Sequence, residues 1–183
     1  MKFVEPIKDK NVVNNVAEYL KESNVRDYAM FVFGIYSGLR ITDILKLKVK
    51  DVRNLEHITL REQKTGKEKK FLIHDEIKKA LKSYNIKDLK DNDYIFCSRQ
   101  GCNKHLTRAR AYQILNAAAK KFDIKNLGTH SMRKTFGYFL YQQTKDIALV
   151  KEMLNQSDVA VTMRYIGISQ DSKDTAIKKL KIL

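Results

Sequence analysis

The chain has 183 residues, 43% hydrophobic and 31% charged, a globular balance that excludes a disordered or fibrous protein. Its apolar runs are too short to cross a membrane and its N-terminus lacks the apolar segment of a signal peptide, so the expected compartment is the cytoplasm. Lys and Arg number 36 against 21 Asp and Glu, and the net charge of +15 favours a polyanionic partner, nucleic acid foremost.

Residues 8–22 read as a first helix, with Val12, Val13, Val16 and Leu20 at helical spacing. Asn24 is placed to cap a second, which buries Val25, Tyr28, Ala29, Phe31, Val32, Ile35 and Tyr36 and stops at Ser37-Gly38. A short helix is expected over 42–47. The period then changes, and 57–61 and 70–74 are partly alternating runs on either side of Lys64-Thr65-Gly66-Lys67. That pattern is a β-hairpin with a basic tip, and 94–97 is expected as a third strand. Thr107 caps a helix reaching 121, with Ala111, Ile114, Leu115 and Ala118 on one face. Helices follow at 130–144, 145–154 and 158–165, and a basic amphipathic tail covers about 171–181. With Pro6 as the single proline and no linker or repeat, the expectation is one domain over 1–183. Its fold class is mainly α with a small antiparallel β-sheet of about three strands.

Cys97 and Cys102 have no second Cys/His pair at metal spacing, and His105 alone does not complete a zinc site. They read as reduced thiols, with no metal and no cofactor expected.

Five residues suggest chemistry. Arg40 follows Gly38-Leu39, Lys64 sits at the hairpin tip, His130 and Arg133 lie three residues apart on one helix face, and Tyr165 comes 32 residues after Arg133. A phosphodiester repels nucleophiles, and its pentacoordinate transition state gathers further charge. Without a metal, fixed cationic donors must compensate for it. Arg40 and Arg133 suit a phosphate clamp, because each guanidinium fork holds two oxygens and never loses its charge. His130 could donate to the phosphate or relay the nucleophile's proton. Lys64 could protonate the leaving 5′ oxygen. Tyr165 would attack phosphorus and store the bond energy as a phosphotyrosine, so that rejoining needs no ATP. Each residue alone has a structural reading, as a surface arginine, a core histidine or a packed tyrosine. Their joint order carries the inference.

That order resembles the tyrosine recombinase, or phage integrase, family. Gly38-Leu39-Arg40-Ile41-Thr42-Asp43-Ile44-Leu45 is similar to the family's first arginine motif, with Asp43 at the position of an acidic supporting residue. Gln63-Lys64-Thr65-Gly66-Lys67 resembles its hairpin lysine, and Thr129-His130-Ser131-Met132-Arg133 its His-x-x-Arg box. Met153-Leu154-Asn155-Gln156-Ser157 through Arg164-Tyr165 resembles the closing motif. Gln156 departs from that motif, standing nine residues before Tyr165 where the family has a histidine or sometimes a tryptophan. A glutamine amide still donates a hydrogen bond, but it carries no charge. Asn155 replaces the usual glycine before it.

The resemblance implies a site-specific DNA recombinase that works through a covalent 3′-phosphotyrosine intermediate, as found on mobile elements. It also implies double-stranded DNA as partner, a tetramer on DNA with a monomer when free, and no membrane role. Lys67, Lys69, Arg108 and Arg110 are candidate DNA-binding residues. About 30 residues precede the first arginine motif, so the family's N-terminal core-binding domain is expected to be absent. The tail at 171–183 is expected to be exchanged between protomers or folded back in cis. Two alternatives use the same residues: a nicking and closing activity like that of a type IB topoisomerase, and a non-catalytic DNA-binding remnant or regulator.

Overall fold

The computed structural model describes residues 4–61, 68–101, 103–168, 174, 177, 178 and 180. Helix α1 (Lys10–Ser23) starts where Asp9 accepts from the Asn11 amide. Helix α2 (Val25–Ser37) starts where Asn24 accepts from the Arg26 amide. Both use an Asx side chain to satisfy an otherwise orphaned N–H. Helix α2 is apolar nearly all round and is the centre of the molecule, packed against α1, α4 (Asp75–Ser83) and α6 (Thr129–Thr144). It ends at Gly38, whose φ of +64° turns the chain into α3 (Ile41–Lys46).

Strands β1 (His57–Arg61) and β2 (Glu68–Leu72) form an antiparallel hairpin, with His57 opposite Leu72 and Arg61 opposite Glu68. The second strand begins two residues earlier than its sequence pattern predicts. His74 is taken out of the ladder because its ring nitrogen caps α4, accepting from the Glu76 amide at 3.1 Å. The expected third strand at 94–97 is absent as a ladder. Tyr94 makes one isolated bridge to Lys48, and Cys97 makes another to His105. Ile95 and Phe96 are both fully buried, so the segment lacks the alternation of a one-sided strand and is wedged between two different neighbours. Arg26 secures it, donating to the Cys97 carbonyl at 2.8 Å and to Asp27 at 2.8 and 2.9 Å. Sequence pattern assigned nothing to 75–83, where α4 buries Ile77, Ala80 and Leu81.

Helix α5 (Arg108–Lys121) is capped by Thr107 as expected, and α6, α7 (Ile147–Met153) and α8 (Val159–Tyr165) fall within two residues of their predicted bounds. The main core draws on α1 to α6, with Phe31, Phe33, Phe96, Met30 and Met132 among its largest fully buried side chains. A second, smaller cluster joins Val150 of α7, Leu154 and Ile166 to partly buried residues of α6 such as Phe136 and Tyr138. Of the predicted tail at 171–183, all but Asp174, Ile177, Lys178 and Leu180 lie outside the described residues. No helix among the described residues is long and apolar enough to cross a membrane.

Candidate active site

The site gathers where α6 passes between the end of α2 and the α7–α8 pair. The first half of α6 buries an unusual number of polar side chains: Thr129, Ser131, Arg133, Lys134 and Thr135. Buried polar groups need partners, and Ser131, Arg133, Lys134 and Thr135 have them. Ser131 accepts from the Gly128 amide at 3.1 Å and so caps its own helix. Thr135 accepts from the Ile7 amide at 2.8 Å.

Arg133 is the keystone. One terminal nitrogen of its guanidinium donates to the Gly38 carbonyl at 2.5 Å, and the other donates to the Leu154 carbonyl. It thereby ties the turn leading to Arg40 to the end of α7. Two main-chain acceptors that would otherwise be buried without donors are satisfied by one planar fork. The same guanidinium is close enough to the Tyr165 phenol for each to act on the other's charge. Burial pulls its own pKa down, countered chiefly by the charge of Tyr165.

Tyr165 closes α8 against this fork. Burial raises its pKa above the ordinary tyrosine value, while Arg133 and then Arg40 pull in the opposite direction. A phenol that loses its proton here therefore does so facing two guanidinium groups. Arg40 is exposed, at the N-cap position of α3, so its fork is open to solvent and to a ligand. Half-buried His130, one turn before Arg133, has its pKa lowered first by burial and then by Arg108, Arg133, Lys134 and Arg40. Four cations around one imidazole favour its neutral form near pH 7.

Asp43 is partly buried on α3 and acts electrostatically on Arg133, the geometry of a counter-charge behind the clamp. Gln156 follows Leu154 by two residues, and its amide donates to the Lys151 carbonyl at 2.9 Å. Among the described residues, its Oε1 is buried without a hydrogen-bond partner. Asn155 has a φ of +45°, in the left-handed region where a glycine is at ease and asparagine is the best substitute.

The structure thus brings Arg40, His130, Arg133 and Tyr165 within electrostatic reach of one another, with the charge of Asp43 acting on Arg133 and Gln156 two residues beyond Leu154. Lys64 and Lys67 lie outside the described residues. Lys69 is on β2, with its side chain outside the description. Arg108 and Arg110 are exposed on the first turn of α5; Arg108 is near enough to act on His130, and Arg110 donates to Gln113 at 3.2 Å. Sequence reasoning missed Lys134, whose ammonium lies 4.9 Å from the centroid of the Tyr165 ring. The polar run at the start of a buried helix was the available signal.

Comparisons with known proteins bear on the family and the fold. A family model described as the phage integrase family matches residues 8–171. The chain is 46% identical over 178 residues to the probable integrase/recombinase YoeC of Bacillus subtilis (strain 168), covering 97% of each. It is 24% identical to the tyrosine recombinase XerA of Pyrococcus furiosus, over 93% of this chain and 60% of that one. The crystal structure of XerA recombinase superposes with a TM-score of 0.78 at 23% identity, over 98% of this chain and 67% of the other. A XerH site-specific recombinase bound to its palindromic difH substrate, a post-cleavage complex, gives 0.75 at 22% identity over 97% and 54%.

Proposed function

The chain belongs to the phage integrase family, and from that membership we propose that it carries out site-specific recombination of double-stranded DNA through a covalent 3′-phosphotyrosine. The observation that carries the assignment of roles is the Arg133 fork, which holds the Gly38 and Leu154 carbonyls while its charge acts on the Tyr165 phenol. A phosphodiester seated on Arg40 and Arg133 has its negative oxygens neutralised and its phosphorus turned towards Tyr165.

The Tyr165 oxygen attacks phosphorus, a bond forms between them, and the bond from phosphorus to the 5′ oxygen breaks. His130, held neutral by its cationic surroundings, accepts the phenolic proton or donates to a non-bridging oxygen. Lys64 gives the 5′ oxygen its proton. Asp43 steadies the clamp. Gln156 offers its carboxamide to the phosphate: rotation about the last side-chain bond exchanges the buried, unpartnered oxygen for the NH₂ group. Attack by a new 5′ hydroxyl reverses these steps and releases Tyr165.

Arg108 and Arg110, together with Lys67 and Lys69, bind the backbone beyond the reacting phosphate. Affinity should fall linearly with the logarithm of salt concentration, because each phosphate contact releases condensed counterions. Strand exchange requires several active sites on one assembly. The exposed Ile177 and Leu180 support a tail that docks on a neighbouring protomer in a DNA-bound tetramer.

The test uses a library of duplexes nicked near a randomised centre, so that the cleaved fragment diffuses away and the adduct is trapped. Wild-type protein should become covalently linked to a defined subset, and Tyr165→Phe should not. DNA binding by the wild type with no adduct would instead favour a non-catalytic regulator. Relaxation of supercoiled DNA without strand exchange would favour nicking and closing.

A further inference from the structure

Residues 4–8 precede α1 and cross the helix that carries His130 and Arg133. Ile7 is buried in the main core, and its amide is held by Thr135. The Val4 carbonyl accepts from Lys134 Nζ at 2.7 Å. Lys8 Nζ donates to the Gly167 carbonyl at 2.9 Å. Gly167 has a φ of +77°, and a β-carbon there would lie 3.1 Å from both Lys8 Cε and Pro6 Cγ. One short segment therefore grips both α6 and the residue two beyond Tyr165.

Lys134 is the unusual member, at 5% exposure. An ammonium is expensive to bury unless partners replace its water. Here the Val4 carbonyl is on one side and the face of the Tyr165 ring is 4.9 Å away on another. A cation over an aromatic face is attracted by the ring quadrupole. The attraction grows when the ring carries phenolate charge, so the same contact both orients the ring and favours loss of its proton.

We propose that Lys134 is a positioning residue for strand cleavage. Anchored on the Val4 carbonyl, its ammonium holds the Tyr165 ring in the attitude from which the hydroxyl reaches a phosphate on Arg40 and Arg133, and residues 4–8 are the strap that fixes it. The inference rests on Tyr165 being the nucleophile. Among the described residues, the charged groups facing Tyr165 are Arg133 and Lys134 from α6 and Arg40 from the start of α3. Glu5 of the strap faces Lys134, and Asp43 of α3 faces Arg133. Neutralising Lys134 leaves the charges of both arginines acting on Tyr165 and removes the cation from the ring face together with its bond to the Val4 carbonyl.

Two readouts on the full chain test this. The first needs no DNA: the Tyr165 phenol is titrated by NMR with tyrosine ¹³C-labelled at Cζ, its signal identified by its loss in Tyr165→Phe. Lys134→Met should raise its pKa by about half a unit or more, and Lys134→Arg should restore it. The second is single-turnover adduct formation on a duplex captured by the wild type. Lys134→Met should slow it about three- to thirtyfold with unchanged DNA affinity, again with rescue by Lys134→Arg.

Unchanged titration and unchanged rate in Lys134→Met overturn the proposal, as does a rate loss that Lys134→Arg fails to rescue. Should Lys134→Met not fold, Lys8→Met at the exposed end of the strap replaces it; a wild-type adduct rate in that variant overturns the strap. Adduct formation by Tyr165→Phe, or none by the wild type, would instead defeat the nucleophile assignment. That outcome differs from a wild-type rate in Lys134→Met.

Discussion

The main core and the smaller cluster around Val150, Leu154 and Ile166 hold different parts of the site. Arg40, His130 and Arg133 stand on the end of α2, the start of α3 and the first half of α6, all backed by the main core. Tyr165 belongs to the smaller cluster, whose fully buried members are few and whose partly buried ones include Phe136, Tyr138 and Tyr141 of α6. Transition-state charge is best met by donors that do not have to reorganise, which a thick core provides. A nucleophile that must advance on phosphorus and later leave it is better carried on a lightly packed pair of short helices. Polar links between the two, among the described residues, include the Arg133 bond to the Leu154 carbonyl, the Lys134 contact with the Tyr165 ring, and the Lys8 bond to Gly167.

The sharpest way to break this contrast is through the two arginines. Arg133→Ala should cut adduct formation at least a hundredfold. It should also cost about 3 kcal/mol of stability, since two buried carbonyls lose their donor. Arg40→Ala should match the activity loss and leave the melting temperature near wild type, because Arg40 is exposed. Equal thermal losses would mean that the clamp is not divided into a built-in half and an open half.

Leucine deletions compare the clusters directly. Leu115→Ala and Leu154→Ala each remove a fully buried side chain, a change that costs about 2–5 kcal/mol. Leu115→Ala should lower the urea midpoint of the whole molecule. Leu154→Ala should show first as faster amide exchange over 159–166 and as slower cleavage, with a smaller change in midpoint. Identical midpoints would make the two clusters one cooperative unit.

Gly137→Ala probes the seam between them, since a β-carbon there would fall 2.7 Å from Ile166 Cγ2 and 2.9 Å from Leu154 Cδ1. Such overpacking costs about 1–3 kcal/mol, and cleavage should suffer more than DNA affinity in a binding and adduct assay run in parallel.

The smallest effect concerns pH. The folded His130 pKa lies below its unfolded value, so its stabilising contribution is complete above the unfolded value of about 6.5. That contribution is lost as pH falls from there through the lowered folded value. Melting temperature should therefore decline on acidification through this window, and less steeply in His130→Gln.

Helical spacing was enough to find α1, α2, α5, α6 and α8 to within two residues, and in α1, α2 and α5 the buried positions are mainly apolar residues at that spacing. It missed α4, whose short stripe of Ile77, Ala80 and Leu81 follows directly on a strand and is capped by His74, an uncommon capping residue. It misread 94–97 because two adjacent buried residues can be held by single bridges as well as by a ladder. At the site, side-chain chemistry made Arg40, His130, Arg133 and Tyr165 visible. Lys134 stayed hidden because its role depends on contacts 130 residues away at Val4 and across helices at Tyr165. Linear spacing does not encode those contacts.

The turn at Gly38 has one more consequence. A β-carbon on it would fall 2.4 Å from Phe136 Cδ1 and 2.6 Å from Phe136 Cε1, and its φ of +64° already excludes most side chains. The backbone that leads to Arg40 is thus held close on two sides, by the Phe136 ring and by the Arg133 bond to the Gly38 carbonyl. Anyone grafting this phosphate grip into another helical scaffold would have to move Gly38 and Phe136 as a matched pair. Carrying over the two arginines alone would transfer the charges without the backbone support that leads to Arg40.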